Sequence, residues 1–170
     1  TTMCGIYFYQ TFVSPKDLKI YKKHLLSQLN IHQTCFNKIT HRGPDNSVFV
    51  NDTSMISTTS SNYTIEYTTD LNRPMSKLPY HMFWGFHRLA INGQTPESNQ
   101  PFLIKNCRLI CNGEIYNFRA LIKEYGLEAE YMSQSDCEII IHLYRKIGMG
   151  ETLKKLDGVF SLVLHDYENK

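Results

Sequence analysis

The sequence lacks any apolar run that approaches the roughly 18–20 residues a membrane-spanning helix requires. It also lacks a basic segment followed by an apolar core near its start, which argues against a secretory signal. Lys and Arg are scattered, and the formal net charge is only +2, so no basic stripe indicates nucleic acid. From these absences we expect a cytoplasmic protein with no membrane and no nucleic-acid partner.

A regular cysteine framework is also absent. The chain has five cysteines, at positions 4, 35, 107, 111 and 137, and an odd, irregularly spaced set fits a reducing compartment. Cys107 and Cys111 could join nearby histidines in a metal site, but they flank an apolar segment and no second pair has zinc-like spacing. We therefore predict ordinary core cysteines and no metal.

The composition is that of one globular domain. The 170 residues suffice for a substantial core. Hydrophobic residues make up 42% and charged residues 20%, which is ordinary for such a protein. Aromatic residues reach 12%, mostly Tyr and Phe, and favour a β-rich core.

Apolar periodicity predicts strands at both ends of the chain and helices between them. Strands are predicted from Cys4 and at 48–50, 82–91, 109–111 and 159–164, and helices from Ser14, Asn117 and Ser135. Residues 51–80, rich in Thr, Ser and Asn, give only a weak strand signal. This arrangement indicates an α+β layered fold.

Five short stretches hold residue types that are common in active sites. They are Cys-Gly-Ile at 4–6, His-Arg-Gly-Pro-Asp at 41–45, Phe-His-Arg-Leu-Ala-Ile at 86–91, Asn-Gly-Glu-Ile-Tyr-Asn at 112–117 and Ser-Asp-Cys-Glu at 135–138. In order and spacing they resemble the N-terminal glutaminase domain of asparagine synthetase, a class II glutamine amidotransferase among the N-terminal-nucleophile hydrolases. The resemblance runs from Met3 to about Asp166, and the 41–45 and 112–117 stretches favour the asparagine synthetase branch.

The resemblance implies a four-layer αββα sandwich over residues 4–170. It implies hydrolysis of the glutamine side-chain amide to glutamate and ammonia, with a synthetase domain or subunit receiving the ammonia. The glutaminase domain of this family needs no cofactor, because ATP and Mg belong to the synthetase domain. No pyrophosphate-binding Ser-Gly-Gly loop occurs in this sequence, so we expect no synthetase activity from this chain alone.

The nucleophile implied by the resemblance is Cys4, exposed when an initiator Met is removed. A thiol has a reference pKa of about 8.5 and an α-amine one of roughly 7.7–8.0, so the amine can accept the thiol proton near neutral pH. The base then belongs to the nucleophilic residue itself, which fixes their proximity. Taken alone, Cys4 would be interpreted as a small apolar strand residue.

Asn112 and Gly113 are similar to the family's oxyanion hole, in which the Asn side-chain amide and the Gly N–H donate to the developing charge. Such donors are worth about 3–4 kcal/mol each in comparable acyl-transfer sites. Asn-Gly is also the strongest short hairpin signal, and both interpretations can hold together.

Substrate binding is implied for Arg88 and Asp136. Arg88 lies in an apolar stretch, where a guanidinium needs a partner; the family gives it the α-carboxylate of glutamine. The alternative is a structural ion pair with Asp45 or Glu114. Asp136 resembles the residue that binds the α-ammonium, although Ser135 and Glu138 also have capping-box spacing, which would make Asp136 structural. The remaining pocket residues implied by the analogy are Leu89, Ile91 and Glu114.

The 41–45 loop is predicted to be architectural, because Gly43 can adopt unusual backbone angles and Pro44 can fix the turn. The mechanism needs no separate base, so His41 is not assigned a catalytic role. His87 should point away from Arg88, since neighbouring side chains on a strand face opposite ways, and we expect it to be packed.

Two departures from the family bear on activity. Thr1, Thr2 and Met3 precede Cys4, and with them attached the Cys4 nitrogen is an amide that cannot accept a proton. We interpret residues 1–3 as an expression scar plus the initiator Met, or as a pro-segment. The sequence also stops where further strands are expected, which predicts an exposed sheet edge and association between chains, including a homodimer.

Two other functions remain open at this stage. The first is a catalytically inactive relic of the fold that serves as a binding or interaction module; retention of the Arg88, Asn112, Gly113 and Asp136 set argues against it. The second is a hydrolase of the same fold that acts on another amide. Arg88 together with Asp136 argues against that, since the pair suits a free α-amino acid.

Overall fold

The computed structural model describes residues 4–12, 16, 18–51, 80–91 and 95–169, without the side chains at 18, 19, 21–23, 25, 26 and 80. The chain divides into two compact units, Cys4–Arg88 and Leu89–Lys170. The predicted helix is present from Leu18, whereas its predicted start at Ser14 and most of the 51–80 segment lie outside the described residues.

The first unit is a helix packed on an antiparallel sheet. Its strands are β1 (Gly5–Phe12), β2 (Asn46–Asn51) and β3 (Tyr80–Arg88), in the order β1-β3-β2, and its helix is α1 (Leu18–Asn37). A buried cluster joins the helix to the sheet through Leu29, Phe36, Phe49 and Phe83. Burial of these side chains stabilises the unit by about 1.5–3 kcal/mol for each one that is fully removed from water.

A close approach between α1 and β3 depends on a glycine. The ring of Phe36, only 2% exposed, lies against Gly85 in the middle of β3. A Cβ at position 85 would come within 2.5 Å of Phe36 Cδ2. The helix can therefore sit this close to the sheet only because position 85 has no side chain.

The second unit carries two helices on another antiparallel sheet. Its strands are β4 (Phe102–Ile104), β5 (Cys107–Ile115) and β6 (Gly158–Asp166), in the order β4-β5-β6, and its helices are α2 (Phe118–Tyr125) and α3 (Ile139–Lys155). Its core includes Cys107, Cys111, Leu121, Ile140 and Leu143. The prediction that Cys107 and Cys111 are core cysteines is confirmed.

The expected α+β class is confirmed, and several boundaries differ from the prediction. β3 ends at Arg88 rather than at 91, because the chain turns at Leu89, where the Ile91 N–H donates to the Leu89 carbonyl at 3.0 Å. Asn117 does precede α2, but it makes no side-chain cap. Its amide instead donates to the Lys155 carbonyl (2.8 Å), and its oxygen accepts from the Asp157 N–H (3.0 Å).

Candidate active site

The first unit brings Cys4 close to Arg88. β1 and β3 pair with Gly5 opposite His87, so the same register sets Cys4 opposite Arg88. Cys4 is half-buried and Arg88 is 7% exposed. Burial lowers the pKa of the Arg88 guanidinium, while the negative charges of ionised Cys4 and of Asp45 oppose that shift. A cation therefore stands next to the candidate nucleophile Cys4 and near the carboxylate of Asp45.

The 41–45 loop supports the end of β3. Thr40–Arg42 form a 3₁₀ turn, and a Cβ at Gly43 would collide with the backbone carbonyl of His87. The Asp45 N–H donates to the Arg88 carbonyl at 3.0 Å. These contacts are what an architectural loop would provide, because they fix the backbone that carries Arg88.

His87 is a packed residue, as predicted. It is fully buried, and its ring stacks on Phe36 with 3.7 Å between centroids. Nε2 lies 2.9 Å from the Phe36 carbonyl and Nδ1 lies 2.6 Å from Ser47 Oγ. Since a carbonyl only accepts, Nε2 carries the hydrogen and Nδ1 accepts from Ser47. Burial lowers the pKa of His87, although the hydrogen bond to Phe36 opposes this.

The second unit holds Asn112, Gly113 and Glu114 in the second half of β5. Asn112 pairs with Ser161 and Gly113 with Phe160 of β6. Gly113 has a φ of 154°, and a Cβ there would lie 2.5 Å from the Phe160 Cα and closer still to the Val159 carbonyl. Only glycine fits, because both the backbone angle and the approach of β6 exclude a side chain.

Asp136 contacts the end of the same strand. Its carboxylate accepts a hydrogen bond of 2.6 Å from the Ile115 N–H, and it is 5% exposed. Burial raises the pKa of Asp136, and the charge of Glu114 adds to the rise, whereas the Ile115 N–H opposes it. The unit thus joins the candidate oxyanion donors and the candidate ammonium ligand through one strand.

The capping box expected at Ser135 and Glu138 does not form. Ser135 Oγ does accept from the Cys137 N–H at 3.3 Å. The Glu138 carboxylate, however, extends past Ser135 and accepts from the N–H groups of Met132 (2.8 Å) and Ser133 (2.7 Å). His142 Nε2 lies 3.0 Å from the same carboxylate. Glu138 therefore fixes the loop that precedes Asp136.

Leu89 and Ile91 lie in the turn directly after β3, where Leu89 is half-buried and Ile91 is 60% exposed. Two further residues are buried, Gln100 and Glu138; Gln100 lies outside the five motifs, and Glu138 lies within the 135–138 stretch but was assigned no role at the site. The only signal for Glu138 was its spacing from Ser135, and Gln100 offered no sequence signal. Among the described residues, no group of three or more His, Cys, Asp or Glu side chains is arranged to hold a metal ion.

The chain is similar in sequence to glutamine amidotransferases. Residues 70–170 match the family described as a glutamine amidotransferase domain. The glutamine-hydrolyzing asparagine synthetase of Gallus gallus is 42% identical over 90 residues, which are 51% of this chain and 16% of the relative. The probable asparagine synthetase of Acanthamoeba polyphaga mimivirus is 33% identical over 168 residues, 98% of this chain and 24% of the relative. The glutamine-hydrolyzing asparagine synthetase of Bos taurus is 38% identical over 136 residues, which are 78% of this chain and 19% of the relative.

The chain belongs to the glutamine amidotransferase domain family, in the class II group of the asparagine synthetase type. The resemblance inferred from the five motifs is thereby confirmed. The chain spans no more than 24% of the length of these three relatives. Within the described residues, no helix combines the length and the apolar character needed to cross a membrane.

Proposed function

We propose that this chain hydrolyses the side-chain amide of glutamine, with Cys4 as the nucleophile. The observation that carries the proposal is the register that sets Cys4 opposite buried Arg88 at the ends of β1 and β3. A guanidinium there can bind the α-carboxylate of an amino acid through two hydrogen bonds. It also favours the ionised form of a neighbouring thiol.

In the proposed reaction the Cys4 α-amine takes the thiol proton, and the thiolate sulfur bonds to the amide carbon. The oxyanion formed accepts hydrogen bonds from the Asn112 side chain and the Gly113 N–H. The C–N bond then breaks and the leaving nitrogen takes a proton from the α-ammonium, which releases ammonia. Water hydrolyses the remaining thioester to glutamate and regenerates the thiol.

Arg88 and Asp136 would bind the α-carboxylate and α-ammonium of the substrate, with Leu89, Ile91 and Glu114 completing its pocket. The ammonia would pass to a synthetase domain or subunit, which would use the ATP and Mg that the glutaminase reaction does not need. The four-layer αββα sandwich of N-terminal-nucleophile hydrolases, spanning residues 4–170, is the fold this proposal implies. A cytoplasmic location would keep the thiol reduced.

The test is glutamate release from glutamine by the chain expressed from Met3, with mass spectrometry to show that Cys4 has become the first residue. Release that disappears in Cys4→Ala supports the proposal. A matched sample that retains Thr1, Thr2 and Met3 should be inactive, because its Cys4 nitrogen is an amide. If the processed chain releases no more glutamate than Cys4→Ala, the proposal is wrong and a binding module becomes the better interpretation.

A further inference from the structure

The side chain of Gln100 is hydrogen-bonded to both backbone groups of Cys111. Its Oε1 accepts from the Cys111 N–H at 2.6 Å, and its Nε2 donates to the Cys111 carbonyl at 3.1 Å. Gln100 is 6% exposed and Cys111 is 1% exposed. A buried side-chain amide thus makes the pair of hydrogen bonds that a neighbouring strand would otherwise make.

The register of β4 explains why a side chain takes this place. β4 and β5 pair with Phe102 opposite Leu109, and the same register continued by two residues sets position 100 opposite Cys111. The backbone ladder begins only at Phe102. The Gln100 amide therefore extends the sheet by side-chain contacts where the backbone of β4 no longer does.

The residue that Gln100 holds is the one before Asn112. Backbone groups alternate in direction along a strand, so those of Cys111, Gly113 and Ile115 lie along one edge of β5, the edge away from β6. Gln100 fixes the first of these positions, and the Asp136 carboxylate, 2.6 Å from the Ile115 N–H, fixes the third. Gly113 lies between two positions that are each held by a buried polar side chain.

The segment that carries Gln100 also contacts the loop before Asp136. Ser98 is 2% exposed, and its Oγ accepts from the Gln134 N–H at 3.2 Å. Residues 98–100 therefore hold both the strand that carries Asn112 and Gly113 and the loop that leads to Asp136.

We propose that Gln100 is a positioning residue for the oxyanion donors Asn112 and Gly113, an inference that rests on the proposed glutaminase function. Gln100 acts through the backbone of Cys111 rather than by contact with substrate. Its effect should therefore fall on the transition state, in which the oxyanion donors are used, and leave ground-state binding of glutamine little changed.

The test compares kcat and KM for glutamate release in the processed wild type and in two variants. Gln100→Met is close in size but makes neither hydrogen bond. We expect it to lower kcat by about 10- to 100-fold, because small displacements of catalytic groups are this costly. KM should stay within about twofold, since a transition-state interaction leaves ground-state binding unchanged. The control is Gln10→Met, at an exposed position of β1, which should keep the wild-type kcat.

Gln100→Glu supplies a second readout. An ionised carboxylate can accept from the Cys111 N–H but cannot donate to its carbonyl, whereas the neutral acid can do both. The kcat of Gln100→Glu relative to the wild type should therefore rise as the pH falls. If Gln100→Met does not fold, the pH dependence of this kcat ratio still tests whether Gln100 positions the oxyanion donors.

Three results would overturn the proposal for Gln100 while leaving the glutaminase function intact. They are an unchanged kcat in Gln100→Met, a rise in its KM that exceeds the fall in its kcat, and a Gln100→Glu ratio that does not vary with pH. A processed wild type that releases no glutamate overturns the glutaminase function and this inference together, so the two failures are distinguishable.

Discussion

The Asp136 carboxylate and the Ile115 backbone N–H are joined by a hydrogen bond of 2.6 Å in a site where Asp136 is only 5% exposed. Burial raises the pKa of Asp136 despite this hydrogen bond. Ionising the carboxyl therefore costs the folded protein free energy. Such a cost suits a group whose counter-charge arrives with a substrate ammonium.

We predict that Asp136→Asn removes the pH-dependent loss of stability caused by Asp136 and, independently, weakens the binding of glutamine. An Asn oxygen can still accept from the Ile115 N–H, but no charge is buried. Because the pKa of Asp136 is above its unfolded value, the wild type loses stability as the pH rises above the ordinary 3.8, and the variant should not. Thermal unfolding at pH 4 and pH 7 measures this. The KM for glutamine should rise about 10- to 100-fold, the value of one charge-assisted hydrogen bond; an unchanged KM would exclude the ammonium-binding role.

Arg88→Ala should raise the KM for glutamine far more than it lowers kcat at saturation, because it removes a contact made in both ground and transition states. Arg88→Lys should lower the raised KM only slightly, since an ammonium cannot form the two parallel hydrogen bonds of a guanidinium. Steady-state glutamate release measures both parameters. Arg119 is exposed on α2 and gives the matched control Arg119→Ala. Equal KM values in the two Ala variants would contradict the binding of the α-carboxylate by Arg88.

Gly113→Ala should destabilise the protein by about 2–4 kcal/mol, because it combines a strained backbone angle with a collision against β6. Gly126→Ala is the control: its φ is also positive, at 61°, but nothing lies within 4 Å of the added Cβ. It should cost only about 1 kcal/mol. Urea unfolding of both variants measures the difference in stability. Similar losses of unfolding free energy would show that β6 shifts enough to accommodate the methyl group at position 113.

Glu138→Ala should cost about 2–5 kcal/mol, because it removes the buried partner of His142 and leaves the N–H group of buried Ser133 without its acceptor. Burial alone would raise the pKa of Glu138, but its hydrogen bonds with His142, Met132 and Ser133 bring it below the ordinary 4.5.

This stabilisation should be present above pH 4.5 and disappear as the pH falls through the lowered pKa of Glu138. Urea unfolding at pH 7 and pH 3 tests it. The control Glu151→Ala removes an exposed partner of Lys154 and should cost less than about 1 kcal/mol. A Glu138→Ala loss no larger than that control would refute the assignment.

His81 should make the unit Cys4–Arg88 sensitive to acid. Burial, with a smaller effect from the charge of His32, lowers the pKa of His81 from 6.5 to about 4. The unfolded chain takes up this proton more readily, so stability is lost as the pH falls from 6.5 towards 4. The loss attributable to His81 should reach about 3 kcal/mol.

His81→Gln can still donate to Asn51 Oδ1, which now accepts from His81 Nε2 at 2.5 Å, but it does not titrate. Its unfolding free energy should fall less between pH 7 and pH 4.5 than that of the wild type. His24→Gln, at an exposed position of α1, should behave as the wild type does. If the unfolding free energies of the wild type and His81→Gln fall equally between pH 7 and pH 4.5, His81 does not cause the acid sensitivity.

Local patterns predicted most of the described elements. Short apolar segments located β1, β2, β5 and β6, helical spacing located α1 and α3, and Asn117 indicated the start of α2. β4 was not predicted, because its three residues, Phe102–Ile104, are too short for any periodicity. The end of β3 was misplaced because its apolar run continues past Arg88, while the turn at Leu89 is set by backbone hydrogen bonding that side-chain hydropathy does not reveal.

The site was harder to predict from the sequence than the fold was. The side chains that hold its backbone in place make contacts that local sequence patterns do not show. The spacing of Ser135 and Glu138 is that of a local capping box, yet Glu138 bonds to Met132 and Ser133 instead. Gln100 contacts Cys111 only through the register of β4 and β5, which no local pattern encodes. The residues proposed to touch substrate came from the family motifs, and their roles stay predictions until activity is measured.

The contact of Phe36 with Gly85 links two positions that are far apart in the sequence. A methyl group at position 85 has no room while the aromatic ring stays at 36, and a shorter side chain at 36 would leave a void if 85 stays glycine. The two positions should therefore covary among related sequences: bulk gained in the strand would accompany bulk lost from the helix. A library randomised at both positions should recover compensated pairs whose combined volume is close to that of phenylalanine plus glycine.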